Sequence, residues 1–383
     1  MNISKNSSRR SFILRLSLSN VSAFLTFFLI TSNSHAQSSK DYLGGYGEMT
    51  YHHYDNGDTP RLDIARFVLY FDHVFNGKWI FKSETEIEHV KIEGAAGGEI
   101  GVEQVYLDYH ANEQIGWRVG LLVLPIGIMN QTHEPTSYYS VERPLFDQKV
   151  IPSTWREIGT GIYGNLSTDL TYQLYLTEGM KPTGITIDGT DGAKQEGSAG
   201  ELTSDNLAGS DASHPAISAK LNLTLLSGLQ IGVSTYIQRG HTQDFLSSLA
   251  FVDADIEYTH GPLRIRLEGA VVSPADAADS ATVPYRIQGG YAELAYDVMP
   301  LFSMKKSELI PFVRYESFEF TANAKTGDGE NFFISPTYVH NVLTCGVAYK
   351  PLDELIVKAD YRWTSTDSPS ERRGFSIGAG YDF

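Results

Sequence analysis

The last ten residues of the chain alternate strictly between apolar side chains and small or polar ones, and this pattern limits the possible folds. Phe375, Ile377 and Tyr381 share one face of the predicted strand, whereas Ser376 and Asp382 share the other. A strand of this kind needs a neighbouring strand along each edge and an apolar environment against one face. A closed β-barrel in a lipid bilayer provides both.

About sixteen alternating segments follow one another from Asp41 onward. Short turns and longer polar connections alternate between them, as in an antiparallel barrel with long extracellular connections and short periplasmic turns. The predicted strands are 41–54, 61–75, 78–93, 102–112, 117–127, 158–167, 169–179, 214–226, 229–240, 249–260, 263–274, 285–299, 308–320, 338–351, 354–365 and 374–383.

The size of the barrel decides which face points inward. A small soluble barrel fills its interior with apolar side chains, but about sixteen strands enclose a lumen too wide to be filled in this way. We therefore expect the polar faces to line water and the apolar faces to contact outer-membrane lipid and lipopolysaccharide. A soluble β-sandwich or a multi-domain protein is the alternative interpretation of the same alternation.

The first 36 residues have the pattern of a secretory signal peptide. Basic residues precede an uncharged stretch from Leu16 to Ser39, and Ser34-His35-Ala36 supplies a cleavage site. Ser8-Arg9-Arg10-Ser11-Phe12 is also similar to a twin-arginine export motif, but that route carries folded cargo, so we favour an ordinary basic segment. We expect residues 1–36 to be removed and residues 37–383 to form one barrel domain.

Charge and cysteine content exclude several classes of protein. The chain has 46 acidic residues against 30 Lys and Arg, which argues against nucleic acid as a partner. After residue 37 no run of about 18 apolar residues occurs, so a membrane crossing has to use strands. Cys345 is the single cysteine, so no intramolecular disulfide and no cysteine metal site can form.

Charged residues recur on the polar faces of the predicted strands. Like charges two residues apart on one face lie about 7 Å apart and need water or counterions, which favours a wet lumen. These charges either create a transverse field that orients solutes or only keep the pore hydrated, and their acidic excess predicts a weak preference for cations. The candidate pore-lining residues are Glu84, Glu86, Glu88, Asp253, Asp255, Glu257, Arg264, Arg266, Arg314, Lys358 and Arg362.

The third extracellular connection, Ile128 to Glu157, carries more large apolar residues than a solvated loop would. We expect it to fold into the barrel, where the apolar residues cover the wall and its charged residues narrow the passage. A lid at the rim or a contact between protomers is the alternative. The candidate constriction residues are Glu142, Arg143, Lys149 and Arg156.

Three stretches around this connection resemble the phosphate-selective porin family, also known as porins O and P. They are Gly120-Leu121-Leu122-Val123-Leu124-Pro125-Ile126-Gly127, Glu142-Arg143 and Arg156-Glu157-Ile158-Gly159-Thr160-Gly161. The resemblance implies a trimeric, sixteen-stranded porin with an inward-folded third loop. Phosphate-selecting members of the family carry dense Lys and Arg arrays, whereas here Glu142 precedes Arg143 and the wall is acid-rich, so phosphate does not carry over as the substrate.

No enzyme motif is present, and His52-His53 face opposite sides of a strand, which argues against a shared metal site. Catalytic residues that are far apart in the sequence, as in barrel proteases and lipases, would not be recognised from motifs. We expect a non-enzymatic porin in the outer membrane of a Gram-negative-type bacterium, without a cofactor, that passes small hydrophilic solutes or ions as a homotrimer. The alternatives are a channel selective for an oxyanion such as phosphate or for an oligosaccharide, and a non-conducting structural or adhesive barrel.

Overall fold

The computed structural model describes sixteen strands that close into a barrel, together with one small separate hairpin. The described residues are 40–55, 59–88, 99–152, 154–180, 212, 214–239, 248–274, 284–302, 306–322, 324–325, 331–332, 337–366 and 373–383. The predicted signal peptide and, except for residue 212, the connection from Lys181 to Ser213 lie outside them.

Strand bounds follow the alternation of the sequence closely. The barrel strands are β1 (Lys40–Tyr54), β2 (Arg61–Val74), β3 (Trp79–Glu88), β4 (Glu99–His110), β5 (Gly116–Val123), β6 (Arg156–Asn165), β7 (Leu170–Thr177), β8 (Ala216–Leu226), β9 (Leu229–Gln238), β10 (Leu249–His260), β11 (Leu263–Pro274), β12 (Pro284–Tyr296), β13 (Glu308–Ala322), β16 (Thr337–Leu352), β17 (Leu355–Thr366) and β18 (Arg373–Asp382). The hairpin consists of β14 (Ala324–Lys325) and β15 (Asn331–Phe332).

Every barrel strand pairs antiparallel with its neighbours, and the C-terminal strand closes the ring. β18 pairs with β1, so that Tyr46 lies opposite Asp382 and Tyr54 lies opposite Gly374. This pairing covers the edges of the first and last strands, which would otherwise present unpaired backbone groups. The predicted antiparallel barrel of about sixteen strands is confirmed within the described part of the chain.

Two strands end clearly earlier than the alternation predicts: β5 ends at Val123 rather than at residue 127, and β12 also ends early. β12 was expected to reach residue 299 but ends at Tyr296, because the side chain of Asp297 accepts the N–H groups of Met299 and Leu309 at 3.0 and 3.1 Å. This side chain competes with the strand ladder, and Pro300 has no N–H to continue it. Met299–Phe302 forms a short 3₁₀ turn instead.

Burial alternates along the strands in the opposite sense to a soluble barrel. In β18 the apolar Phe375 is 39% exposed, whereas the neighbouring Ser376 is 7% exposed. The buried face of a closed barrel is the interior one, so polar residues face the interior and apolar residues face outward. The same order holds on β9, where Ser234 is buried between the exposed Val233 and the half-buried Thr235.

A β-bulge interrupts the alternation on β4. Glu84 pairs with Gln104 and Thr85 pairs with Val102, which leaves Glu103 as an extra residue. A bulge turns neighbouring side chains toward the same side of the sheet. Glu103 is therefore buried in the interior, although strict alternation would place it outward with Val105.

Helical structure is confined to single turns among the described residues. They are Pro135–Ser137 and Phe146–Lys149 between β5 and β6, and Met299–Phe302 after β12. None of the described helices is long and apolar enough to cross a membrane.

Candidate functional site

The connection between β5 and β6, residues 124–155, is buried along most of its length. We call it the lumen segment. Its apolar side chains form one cluster with side chains of β5, β7 to β13 and β16, in which the rings of Trp155 and Tyr236 lie 4.5 Å apart and those of Phe146 and Tyr291 lie 5.9 Å apart. A second cluster joins Tyr139 to Phe312. These contacts explain why the segment carries so many large apolar residues.

Acidic side chains of distant strands accept hydrogen bonds from the backbone of the lumen segment. An irregular backbone that is buried needs such acceptors, because each unpaired N–H is costly. The hydrogen bonds run from the N–H of Ile128 to Glu268 in β11 (2.9 Å), from the N–H of Phe146 to Glu316 in β13 (2.8 Å) and from the N–H of Val141 to Asp360 in β17 (2.5 Å).

The predicted pore-lining residues include two rows of acidic side chains, and the rows differ in how they are paired. One row is Glu84, Glu86 and Glu88 on β3, and the other is Asp253, Asp255 and Glu257 on β10. On β10, Asp255 lies 3.5 Å from Lys220 and Glu257 lies 3.1 Å from Arg266. Asp253, the third member of this row, is buried and accepts the hydroxyl of Ser234 at 3.1 Å. This row therefore has partners on β8, β9 and β11, as its inward position requires.

The row on β3 is more deeply enclosed. Glu84 and Glu86 are buried, and Glu88 is half-buried. Glu84 accepts the side-chain amide of Gln104 at 2.6 Å through one oxygen. Its other oxygen faces His133 of the lumen segment, 3.7 Å away.

The predicted basic residues all lie beside acidic or aromatic side chains. The amino group of Lys358 lies 3.6 Å from the centre of the Tyr138 ring, a cation–π contact between β17 and the lumen segment. The ion pairs are Arg264 with Glu308 (3.5 Å), Arg266 with Glu257 (3.1 Å) and Glu293 (3.7 Å), Arg314 with Glu293 (3.1 Å) and Glu316 (3.0 Å), and Arg362 with Glu142 (2.7 Å).

The four predicted constriction residues lie at different places on the lumen segment and β6. Glu142 accepts Arg362 and lies 3.6 Å from His52. Arg143 is buried, with its guanidinium 3.4 Å from the hydroxyl of Thr154. The other two are half-buried: Lys149 lies at the end of the turn Phe146–Lys149, and Arg156 lies at the start of β6.

A polar network anchors the lumen segment to β1 and β2. Arg66 donates to Glu48 at 2.7 Å and to the carbonyl oxygen of His133 at 3.2 Å, and Tyr138 donates to Glu48 at 3.1 Å. Burial, reinforced by the charge of Glu48, raises the pKa of Tyr138 above its ordinary value, so its hydroxyl remains a donor. The sequence pattern did not point to this network, because its members are far apart in the chain.

His133 meets two buried carboxylates. Its Nε2 atom lies 3.2 Å from Glu103 and 3.7 Å from Glu84, and its Nδ1 atom lies 2.9 Å from the carbonyl oxygen of Asn130. Burial by itself would lower the pKa of His133, but the hydrogen bonds to Glu103 and Glu84 outweigh burial and raise it to about 9. The expectation from sequence contained no metal site, yet these three side chains offer ligand atoms within 4.8 Å of one another.

A polar cavity of about 320 Å³ lies beside the lumen segment, against β4 to β7. Arg118 extends into it and stacks on Tyr163, with its guanidinium carbon 4.0 Å from the ring centre, while Asp108 lies 3.4 Å away as its ion-pair partner. Uncharged polar residues such as Tyr163 and Gln173 carry no distinctive sequence signal, so sequence reasoning did not single them out. The polar lining includes Gln104, Tyr106, Arg118, Gln131, His133, Tyr163, Asn165, Thr171, Tyr172 and Gln173.

An uncharacterized protein of Aquifex aeolicus (strain VF5) is 33% identical to this chain over 339 residues, which cover 83% of this chain and 74% of the relative. The two chains belong to one family. No protein-family model matches the chain, and the resemblance to the phosphate-selective porins is not confirmed.

Solved structures share the fold at low sequence identity. OmpF of Salmonella typhi in complex with daunomycin has a TM-score of 0.58 at 11% identity, covering 91% of this chain and 98% of that chain. The trimer form of OmpT, an outer-membrane protein of Vibrio cholerae, has a TM-score of 0.55 at 13% identity, covering 91% and 100%. The chain shares the sixteen-stranded barrel fold of these outer-membrane proteins.

Proposed function

We propose that this protein is a porin-like channel for the passive diffusion of small hydrophilic solutes or ions, and that the lumen segment folds into the barrel as its constriction. The supporting observation is the position along the barrel strands at which the segment contacts them. Its backbone donates to Glu268, Glu316 and Asp360, each of which lies near the middle of its strand. A lid would contact strand ends, and a protomer contact would use the outward face.

The cavity beside β4 to β7 is the passage that we assign to this channel. Most of the wall residues in the apolar cluster of the lumen segment belong to β9 to β13, and the polar space lies near Arg118 and Gln173. Hydroxyl, amide and guanidinium groups there can replace part of the hydration of a passing solute. We propose no catalytic step.

A channel selective for an oxyanion is the second candidate. The observation that favours it is the charge of the cavity lining: among the described residues, Arg118 and His133 are its cationic members and none of the lining residues is acidic. Against it, each of these two side chains has a carboxylate partner, Asp108 for Arg118 and Glu103 for His133. Paired cations attract a passing anion less strongly than free ones.

Maturation and assembly belong to the same proposal. We propose that residues 1–36 are removed on export and that the mature barrel assembles as a homotrimer in contact with lipid and lipopolysaccharide. The trimer form of OmpT from Vibrio cholerae supports this assembly for the shared fold.

Planar-bilayer recording of the folded, purified mature chain tests the channel. We expect stepwise conductance increases of uniform size in KCl, whereas the same protein unfolded by heat should give none. Folding is checked separately by the mobility difference between heated and unheated samples on a denaturing gel. A protein that folds but gives no conductance steps would instead be a structural or adhesive barrel.

A further inference from the structure

We propose that Glu84, Glu103 and His133 form a binding site for one divalent transition-metal ion, for which Zn²⁺ is the probe of choice. His133 belongs to the lumen segment, whereas Glu84 lies on β3 and Glu103 on β4. A bound ion would therefore fasten the segment to the barrel wall. This proposal concerns binding alone and does not depend on whether the barrel conducts.

The spacing of the three side chains fits a metal ion. Zinc lies about 2.1 Å from nitrogen and oxygen ligands, so two ligands of a tetrahedral site are about 3.4 Å apart. The Nε2 atom of His133 lies 3.2 Å from Glu103 Oε2 and 3.7 Å from Glu84 Oε1, on either side of that value. All three ligand atoms lie within 4.8 Å of one another.

Buried carboxylate oxygens without hydrogen-bond partners favour the binding of a cation here. Glu103 is 0% exposed and Glu84 is 2% exposed, yet the Oε1 atom of each has no hydrogen-bond partner. The same is true of Oε1 of the buried Glu86, two residues from Glu84 on the same face. Buried carboxylate oxygens are costly unless they are paired or bind a metal.

Neighbouring groups orient the ligands as they do in metal sites. The Nδ1 atom of His133 hydrogen-bonds to the carbonyl oxygen of Asn130 at 2.9 Å, which directs Nε2 toward the carboxylates. Gln104 donates to Glu84 at 2.6 Å through the oxygen that does not face His133. Partners of this kind fix the tautomer of a metal-binding histidine and hold its carboxylate neighbours. The metal would take the place of the proton between His133 and Glu103.

Charge and ligand type indicate which metal ion the site would bind. Glu84, Glu86 and Glu103 bring three carboxylates together, and the nearby Arg66 is already paired with Glu48 at 2.7 Å. A divalent cation would leave one net negative charge on this group. The imidazole ligand favours zinc or a similar transition metal over magnesium and calcium, which prefer oxygen ligands throughout.

The test uses the untagged mature protein in detergent, stripped with EDTA and then titrated with ZnCl₂. We expect one tightly bound zinc per chain by calorimetry and elemental analysis, and an unfolding temperature that rises with zinc, because binding to the folded state stabilises it. His133→Ala and the nearly isosteric Glu103→Gln should each weaken binding by about tenfold or more. His110→Ala is the matched control, because His110 also lies 3.6 Å from a carboxylate, that of Asp108, but is exposed.

Three results would overturn the site. They are no stoichiometric zinc binding by the parent, unchanged binding in Glu103→Gln, and an equal loss of binding in His110→Ala. Glu103→Gln keeps the test decisive if His133→Ala fails to fold, since it preserves the shape of the side chain.

Discussion

At the scale of single residues, the barrel interior is a set of buried charges held by specific partners. Arg314 is the clearest case, because it is fully buried and donates to Glu316, Glu293 and the hydroxyl of Ser140. It thereby joins two strands to the lumen segment. Burying such a group is favourable only while its partners remain.

Arg314→Ala should destabilise the folded protein by about 3–5 kcal/mol, because it leaves the buried Glu316 without its cation and Glu293 with Arg266 alone. Arg264→Ala on β11 is the control. Its ion pair with Glu308 is partly exposed, at 23% and 35% of the two side chains, and its loss should cost about 1 kcal/mol or less. Urea unfolding in detergent, followed by tryptophan fluorescence, measures both. An equal loss of unfolding free energy in the two variants would show that Arg314 does not make the buried contacts described.

At the scale of strands, the outward faces are apolar, as the proposed contact with lipid requires. Leu221 and Leu225 of β8 are almost equally exposed, at 48% and 50%. Leu221 is the central residue of the strand, whereas Leu225 lies beside the turn to β9. They therefore sample different depths of the membrane.

Leu221→Arg should destabilise the folded barrel in lipid bilayers by about 2–4 kcal/mol, and Leu225→Arg by about 0–1 kcal/mol, because the cost of a charge falls toward the interface. Reversible unfolding from lipid vesicles measures the difference. Similar costs at the two positions would mean that β8 does not cross the membrane as its burial pattern indicates.

Strands were predictable from sequence because alternation is a local signal. The pattern around Ser376 and Ile377 identifies both the strand and its two faces, and it needs no knowledge of the rest of the chain. Glu103 was not predictable, because a bulge reverses the alternation at that residue. The contact of His133 with Glu84 was equally hidden, since nothing in either neighbourhood specifies a partner 49 positions away.

At the scale of the whole molecule, two sets of charges act on ion selectivity in opposite directions. The acidic excess of the chain favours cations, whereas the basic residues of the cavity favour anions. The chain carries 46 acidic residues against 30 basic ones. Arg118 and His133 line the cavity, but each has a carboxylate partner. Fields from the wall act over about 10 Å at 0.1 M salt, so a passing ion responds to the surplus.

We therefore predict a weak preference for cations, measured as the reversal potential across a KCl gradient at low salt. Arg118→Gln should increase this preference, because it leaves Asp108 without its cation. Arg264→Gln, near the turn at Gly261, should change it less. A clear anion preference in the parent protein would contradict the prediction and favour the oxyanion channel.

The position of the passage is the central claim, and a pair of adjacent residues tests it most directly. Gln173 lines the cavity, whereas Leu174 is 44% exposed on the outward face of β7. Gln173→Trp should lower the single-channel conductance to half or less, because the larger side chain fills the passage, and Leu174→Trp should leave it unchanged. Equal conductance of the two folded variants in planar bilayers would contradict a passage between the lumen segment and β4 to β7.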